Sequence, residues 1–213
     1  DPVAEDFLQP GDRQVCSGYA IYGPATMLVL TLGNGTHGFT LEPQLGEWVL
    51  SHPFLTVPET TSDFAIDPGQ SRHWGAPIKR YVDECLDGRT GPRGTEFRVR
   101  WIASLATEAH RILMRGGVFL SPGGTPDSAT AVSARLLDEA NPIAHLIEQA
   151  GGRADTGHGR ILEVTPGGLR RTTPLYFGSR DEVDRIARYH VATPGESYNS
   201  SLFGHRGLFS SPG

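Results

Sequence analysis

The strongest constraint on the fold is a series of apolar segments separated by tight-turn signals in the first quarter of the chain. Residues 26–32 are apolar or β-branched, and Gly33-Asn34-Gly35 follows, with residue types that tolerate positive φ. Residues 36–41 and 46–50 predict two further strands. Because strands joined by short turns pair side by side in opposite directions, this region predicts an antiparallel meander.

Later segments carry helical periodicity. Apolar residues recur every three or four positions in 77–86 and 102–115, and glycines follow both segments. Asn141, followed by Pro142, predicts the N-cap of a third helix, and Ser179 predicts the N-cap of a fourth, over residues 183–189. Short strands are predicted at 118–120, 161–164 and 175–177, while residues 53–74 are expected to be mostly irregular, with a short apolar piece at 64–66. This mixture predicts an α/β fold, a layered sandwich in which a mixed sheet is flanked by helices.

Composition excludes several classes of protein. Of the 213 residues 38% are hydrophobic, and the formal net charge is -5. No apolar run approaches the roughly 18–20 residues of a spanning helix, so we expect no membrane association. The negative charge argues against nucleic acid as a partner. Cys16 and Cys85 match no metal-ligand spacing, which predicts two buried, reduced thiols and favours a cytoplasmic location.

Three regions are expected along the chain. Residues 1–16 lack periodicity and are interpreted as a linker remnant, residues 17–190 as one domain and residues 191–213 as an irregular tail. The chain opens at Asp1 without an initiator methionine. This start indicates a fragment or a processed product.

Arginines suggest the first candidate for chemistry. Four of them lie within a short stretch, at positions 89, 93, 98 and 100. Arginine is a planar, bidentate partner for phosphate oxygens, and Arg98 and Arg100 would leave the same face of an extended segment. The alternative is a solvated basic edge, which the residues alone favour.

Glu139 is the second candidate, because it lies just ahead of the predicted helix at Asn141. A carboxylate there is stabilised by the helix dipole, which favours a structural role. It is also suited to Mg²⁺, which prefers oxygen ligands. The eight histidines are scattered and predict no metal pair. The familiar phosphate-loop, nucleophile-elbow and zinc-helix motifs are absent from the sequence.

Several stretches together resemble class I fructose-1,6-bisphosphatases. They are Gly18-Tyr19-Ala20-Ile21-Tyr22-Gly23, Leu41-Glu42-Pro43 with Gly46-Glu47, Arg100-Trp101-Ile102-Ala103-Ser104, Glu139-Ala140-Asn141-Pro142 with Glu148-Gln149-Ala150-Gly151-Gly152, and the tail Leu202–Phe209. The resemblance extends over nearly the whole chain, in order and spacing, and is to the C-terminal half of proteobacterial members.

The resemblance implies a function and roles for individual residues. It implies Mg²⁺-dependent hydrolysis of the 1-phosphate of fructose 1,6-bisphosphate to fructose 6-phosphate, in gluconeogenesis or the reductive pentose phosphate cycle. Glu139 matches a metal ligand, and Arg100 matches an arginine that reaches a neighbouring subunit's 6-phosphate in a homo-oligomer. Ser104 and Leu105 match a segment lining the fructose pocket, and Arg135 matches an arginine shortly before the metal ligand.

Departures from the family pattern concern the 6-phosphate. Ser133 stands where the family has lysine, Ser121 where it has tyrosine, and Asp67 where it has asparagine, while Gln70 is aligned with another hydrogen-bonding position. Losing one charge-assisted hydrogen bond costs roughly 1.5–3 kcal/mol. We therefore expect weakened binding of the 6-phosphate.

The family's other acidic metal ligands and its nucleotide pocket belong to an N-terminal half whose motifs are not in this sequence. Two functions remain open. The chain is half of a fructose-bisphosphatase that works with that N-terminal half, or it is a degenerate sugar-phosphate-binding or interaction protein.

Overall fold

Two β-sheets organise the protein in a computed structural model that describes residues 2–123 and 133–192. The first sheet contains β1 (Ser17–Ile21), β2 (Met27–Thr31), β3 (Thr36–Glu42) and β4 (Glu47–Leu55), paired antiparallel in chain order. The predicted meander is confirmed. Gly33 and Gly35 have φ of 88° and 104°, which explains the glycines of the β2–β3 turn.

The second sheet is mixed. In chain order, the remaining strands are β5 (Asp63–Ile66), β6 (Arg98–Val99), β7 (Val118–Ser121), β8 (Ala134–Arg135), β9 (Arg153–Asp155), β10 (Thr172–Thr173) and β11 (Leu175–Gly178). The spatial order is β6-β5-β7-β11-β9, with β5 parallel to both β6 and β7 and with β11 antiparallel to its neighbours. Strands β8 and β10 form a separate two-stranded ribbon.

Helices cover both faces of the second sheet. These helices are α2 (Ala76–Leu86), α3 (Leu105–Arg115), α4 (Asn141–Gln149) and α5 (Arg180–Ala192), whereas the short α1 (Ala4–Phe7) has no buried residue. A π-helical turn occupies Leu136–Ala140, and 3₁₀ turns occupy Gly11–Arg13, Pro68–His73, Gly88–Thr90 and Ile161–Glu163.

Successive side chains of the central strands point to opposite faces of the sheet, which divides the core into two layers. Phe64 and Tyr176 face α2 and α5, whereas Ala65, Phe119 and Phe177 belong to the layer that contains α3 and α4. Helix α4 also contacts β1 and β2 of the first sheet. The layers are therefore a helix pair, the mixed sheet, a second helix pair and the antiparallel sheet, as predicted for a layered α/β sandwich.

Three local predictions were wrong. Asn141 is not an N-cap, because its φ of -62° and ψ of -48° are helical and the preceding π-helical turn runs directly into α4. Residues 161–164 form no strand, since Ile161 and Leu162 are buried in a 3₁₀ turn that caps the core. Cys16 is exposed, while Cys85 is buried, and both thiols are free.

Two helices differ from prediction in their extent. Helix α3 begins at Leu105 rather than at residue 102, and α5 runs beyond the predicted 183–189. Within the described ranges, no helix is long and apolar enough to cross a membrane. Most of the predicted tail, from residue 193 onward, lies outside the described residues.

Candidate functional site: a cavity at the strand ends

Three of the predicted substrate-binding residues meet at one cavity. Asp67 follows β5, Ser121 ends β7, and Gln70 lies in the 3₁₀ turn after Asp67; all three line a cavity of about 40 Å³. Strands β5 and β7 are parallel neighbours, so their carboxyl ends lie at the same edge of the sheet. Ligands of open α/β sheets bind in crevices at such edges.

The walls of the cavity are largely aromatic. Trp101 stacks on Phe119 with ring centroids 6.0 Å apart and planes within 11°. Trp74 contributes an indole whose Nε1 is buried and has no hydrogen-bond partner among the described residues. Neither tryptophan was predicted to line a site. Trp74 lies four positions after Gln70 and directly follows the turn Pro68–His73, which is the sequence signal that could have indicated it.

Asp67 has a structural role in addition to lining the cavity. Its Oδ1 accepts a hydrogen bond from Gly69 N at 2.9 Å and caps the 3₁₀ turn Pro68–His73. Ser133 lies close to the cavity as well, because a Cβ placed on the lining residue Gly123 would be 3.1 Å from Ser133 Oγ. The positions that the resemblance assigns to the 6-phosphate are therefore grouped together.

The predicted arginine cluster is neutralised by carboxylates. Arg98 Nε lies 2.9 Å from Asp63 Oδ1, and Arg100 Nε lies 3.6 Å from Asp63 Oδ2, so both side chains do share one face. Arg93 forms a buried pair with Glu182, and Arg89 an exposed one with Glu96. Arg100 is about half exposed and does not line the cavity.

The segment from Trp101 to Leu105 is held by a buried carboxylate. Glu108 Oε1 accepts a hydrogen bond from Ile102 N at 2.8 Å. Between these residues the backbone passes through Ala103 with φ of 60°, a region that disfavours side chains. Ser104 precedes α3, where its Oγ accepts a hydrogen bond from Thr107 Oγ1 at 3.0 Å, and Leu105 packs against the core.

Arg135 and Glu139 form a separate ionic cluster outside the cavity lining. Glu139 Oε2 accepts a hydrogen bond from Arg135 N at 2.8 Å, and Glu139 Oε1 lies 3.0 Å from Arg135 Nη2. The same guanidinium also pairs with Asp138 at 2.8 Å. Glu139 thus ties its own π-helical turn to the preceding strand, which is a structural role different from the capping of a helix at Asn141 that the residues alone predict.

The described residues do not by themselves fit a complete magnesium site. Glu139 supplies one carboxylate, and it is already ion-paired. In residues 2–123 and 133–192, no group of three or more histidine, cysteine, aspartate or glutamate side chains is placed to hold a metal ion.

Perturbed histidines lie between the first sheet and its helices, away from the cavity lining. Tyr19 Oη and His110 Nδ1 are 3.0 Å apart, as are Ser17 Oγ and His145 Nδ1. Burial lowers the pKa of both histidines; nearby His52 lowers that of His110 further. These contacts connect α3 and α4 to β1 and are structural.

Two family models match the chain, one over the region of each of its two large sheets. A mixed sheet between helices, with a cavity at the ends of parallel strands, defines an α/β protein with a crevice of the type in which such sheets receive small ligands. Residues 57–191 match the sequence model of the fructose-1-6-bisphosphatase C-terminal domain, and residues 1–53 match that of the N-terminal domain. The chain belongs to the fructose-1,6-bisphosphatase family.

Individual relatives agree with this assignment. The chain is 62% identical over 213 residues to fructose-1,6-bisphosphatase class 1 3 of Methylibium petroleiphilum, covering all of this chain and 60% of that protein. It is 54% identical over 207 residues to fructose-1,6-bisphosphatase class 1 of Hydrogenophilus thermoluteolus, covering 97% of this chain and 58% of that relative. The chain thus spans about three-fifths of the length of these relatives.

Solved structures share the fold. The holo form of Leishmania major fructose-1,6-bisphosphatase superimposes with a TM-score of 0.81 at 39% identity, over 88% of this chain and 56% of that one. The T-state structure of the same enzyme superimposes with a TM-score of 0.80 at 40% identity, over 87% of this chain and 56% of that one. The two family-model ranges meet between residues 53 and 57, near the end of β4. The division of the chain at residues 16 and 190 stays a prediction.

Proposed function

We propose that this chain provides the sugar-phosphate-binding part of a phosphatase that hydrolyses the 1-phosphate of fructose 1,6-bisphosphate. The observation that carries the proposal is the match to both family domains, together with a cavity that gathers Asp67, Gln70 and Ser121 at the ends of parallel strands. We place the reaction in cytoplasmic carbohydrate metabolism, in gluconeogenesis or the reductive pentose phosphate cycle.

The remaining predicted residues have roles around that cavity. Trp101 lines it, and the segment that continues to Ser104 and Leu105 is held rigid by Glu108, so it presents a preorganised wall to the sugar. Arg100 is half exposed and leaves the same segment, which suits a guanidinium that reaches a phosphate in a neighbouring subunit. This role requires a homo-oligomer and release of Arg100 from Asp63.

Glu139 is the one residue of this chain that we propose as a ligand of Mg²⁺. Its carboxylate is of the ligand type that Mg²⁺ prefers, and Mg²⁺ is usually bound through only one or two protein carboxylates. Arg135 neutralises Glu139 in this structure, so metal binding would require the two to separate. No step of the reaction is assigned to the metal.

A second polypeptide segment is the proposed partner. The relatives are longer than this chain, and strand β4 carries exposed apolar side chains at Trp48, Val49 and Leu50. Exposed apolar patches mark interaction surfaces. We propose that the region corresponding to the uncovered part of the relatives, the N-terminal half, completes the enzyme.

A degenerate sugar-phosphate binder is the alternative function. It is favoured by one observation: Asp67 places a carboxylate in the cavity, and the lining residues described include neither lysine nor arginine. A phosphate is better held by cations.

Product analysis tests the proposal. The chain is mixed with the segment of the Methylibium relative that it does not cover, and fructose 1,6-bisphosphate is followed by ³¹P NMR with and without Mg²⁺. The proposal predicts Mg²⁺-dependent loss of the 1-phosphate signal and accumulation of fructose 6-phosphate. Absence of turnover in a mixture shown to associate would favour the degenerate binder.

A further inference from the structure

The charge of the cavity determines which chemical group it can accept. Asp67 and His73 are the ionisable side chains among its described lining residues. His73 Nε2 accepts a hydrogen bond from Arg72 Nε at 3.1 Å, so that nitrogen is not a donor. A carboxylate beside a phosphate is a like-charge pair, which disfavours the complex.

Among the described residues, no arginine lines the cavity to compensate for Asp67. Arg72 donates a hydrogen bond to the lining residue His73, but its own side chain is exposed and lies outside the lining. The guanidinium of Arg100 is paired with Asp63, and that of Arg135 with Asp138 and Glu139. Neither side chain lines the cavity. Within the described part of the chain, the cavity therefore has negative rather than positive character.

The hydrogen-bonding groups of the cavity favour a ligand that can both donate and accept hydrogen bonds. Trp74 Nε1 is a buried donor that has no hydrogen-bond partner in the described part of the chain, and such a donor is expected to meet a water or a ligand acceptor. The Asp67 carboxylate accepts one bond from Gly69 N and has further lone pairs. A hydroxyl group serves both, since it accepts from the indole and donates to the carboxylate.

The size and walls of the cavity agree with that chemistry. Its volume of about 40 Å³ exceeds the roughly 10–15 Å³ that one water requires. The stacked rings of Trp101 and Phe119 provide an apolar wall for the carbon-bound hydrogens of a sugar.

We infer that the cavity receives the uncharged, hydroxyl-bearing end of a sugar or polyol monophosphate, and not a second phosphate group. This inference rests on the proposed hydrolysis of a sugar 1-phosphate, and it replaces fructose 1,6-bisphosphate as the favoured substrate by 1-phosphates whose other end is a free hydroxyl.

Tryptophan fluorescence of the full chain tests the inference. A Trp48→Phe background leaves Trp74 and Trp101, both in the cavity wall, as reporters. Fructose 1-phosphate and fructose 1,6-bisphosphate are titrated separately. We expect fructose 1-phosphate to bind more tightly by about tenfold, equivalent to 1.4 kcal/mol. Equal or tighter binding of the bisphosphate would overturn the inference, and so would an absence of any response to either sugar phosphate.

Two variants in the same background identify the groups responsible. Asp67→Asn should reduce the preference for fructose 1-phosphate, because it removes the charge that repels the second phosphate. Trp74→Phe should weaken fructose 1-phosphate binding, because it removes the indole donor. Asp87→Asn, on an aspartate that does not line the cavity, is the charge-matched control. A preference unchanged in Asp67→Asn would contradict the inference.

The inference and the proposed function can fail separately. If the completed enzyme hydrolyses fructose 1,6-bisphosphate but the chain binds it as well as fructose 1-phosphate, the proposed phosphatase function stands and the inferred substrate class is wrong. If the chain prefers fructose 1-phosphate but the completed enzyme releases no phosphate, the inferred specificity of the cavity stands and the proposed phosphatase function is wrong.

Discussion

Glu108 holds the amide of Ile102 at 2.8 Å from its Oε1, although the two residues lie on opposite sides of the start of helix α3. The carboxylate is fully buried, and its Oε2 accepts a second hydrogen bond from Arg111 Nε at 3.0 Å. The bond to Ile102 connects helix α3 to the cavity wall at Trp101, and the bond from Arg111, within the same helix, holds the carboxylate in place. The rigidity of the wall therefore depends on a residue that does not line the cavity.

Replacing Glu108 with alanine should strongly destabilise the protein. The variant leaves the Arg111 guanidinium buried without its carboxylate, and breaking a buried pair in this way costs about 3–5 kcal/mol. Urea denaturation measures the loss. Glu108→Gln is the matched control, since it keeps an acceptor for Ile102 N, and it should lose less. Equal losses in the two variants would contradict the anchoring role.

Replacing Ala103 with glycine should stabilise the protein. Ala103 has φ of 60°, and the left-handed conformation costs a residue with a Cβ roughly 1–2 kcal/mol. Part of the gain is offset by the greater entropy of glycine in the unfolded chain. Thermal unfolding should show a higher midpoint. The control is Ala106→Gly inside α3, which should lower stability by about 1 kcal/mol; a loss of stability at both positions would contradict the assignment of strain to Ala103.

Strand β4 should make the isolated chain self-associate. Trp48, Val49, Leu50 and Phe54 are 43%, 52%, 49% and 68% exposed on a strand that pairs only with β3 in the described structure. Sedimentation velocity should show a concentration-dependent increase in mass, which Val49→Lys should reduce. Leu169→Lys, at an exposed leucine outside the sheets, should not. A clean monomer at high concentration would contradict this expectation.

Acid should destabilise the fold through its buried histidines. Burial lowers the pKa of His145 and His190 below 6.5, so the folded state binds fewer protons than the unfolded chain below that pH. The stabilisation is fully present above pH 6.5 and is lost as the pH falls through the folded pKa values.

Urea denaturation between about pH 7.5 and 5 checks this effect, because the interval spans the range in which histidine titrates. The unfolding free energy should decrease toward the acid end. His145→Gln should make the decrease shallower than in the unsubstituted chain. A decrease of the same steepness in His145→Gln would show that His145 is not among the groups responsible.

Local sequence patterns predicted most of the elements, and tertiary packing decided those that differed. The meander was predictable because Gly33 and Gly35 provide the turn that the strands require. Asn141 and Pro142 carried the pattern of a helix start, but the chain is already helical when it reaches them. The segment at Ile161 was apolar like a strand, and periodicity alone does not distinguish a strand from a short buried turn.

The candidate site was predicted in part. The resemblance grouped Asp67, Gln70 and Ser121, and the structure brings them together. The pairing of Arg135 with Glu139 could have been predicted from their spacing of four. The orphan donor of Trp74 could not, because its burial depends on packing against β7, which is distant in sequence.

The central claim is that this chain contributes an essential part of a phosphatase site, and Glu139 tests it most directly. Phosphate release from fructose 1,6-bisphosphate and from fructose 1-phosphate is measured in the completed enzyme, with Glu139→Gln compared against Asp138→Asn. Glutamine keeps an acceptor for Arg135 N, and Asp138 shares the same arginine, so the two variants perturb the cluster similarly. We predict that Glu139→Gln abolishes release from the preferred sugar phosphate and that Asp138→Asn retains it. If the Glu139→Gln variant released phosphate as fast as the Asp138→Asn variant, the claim would be contradicted.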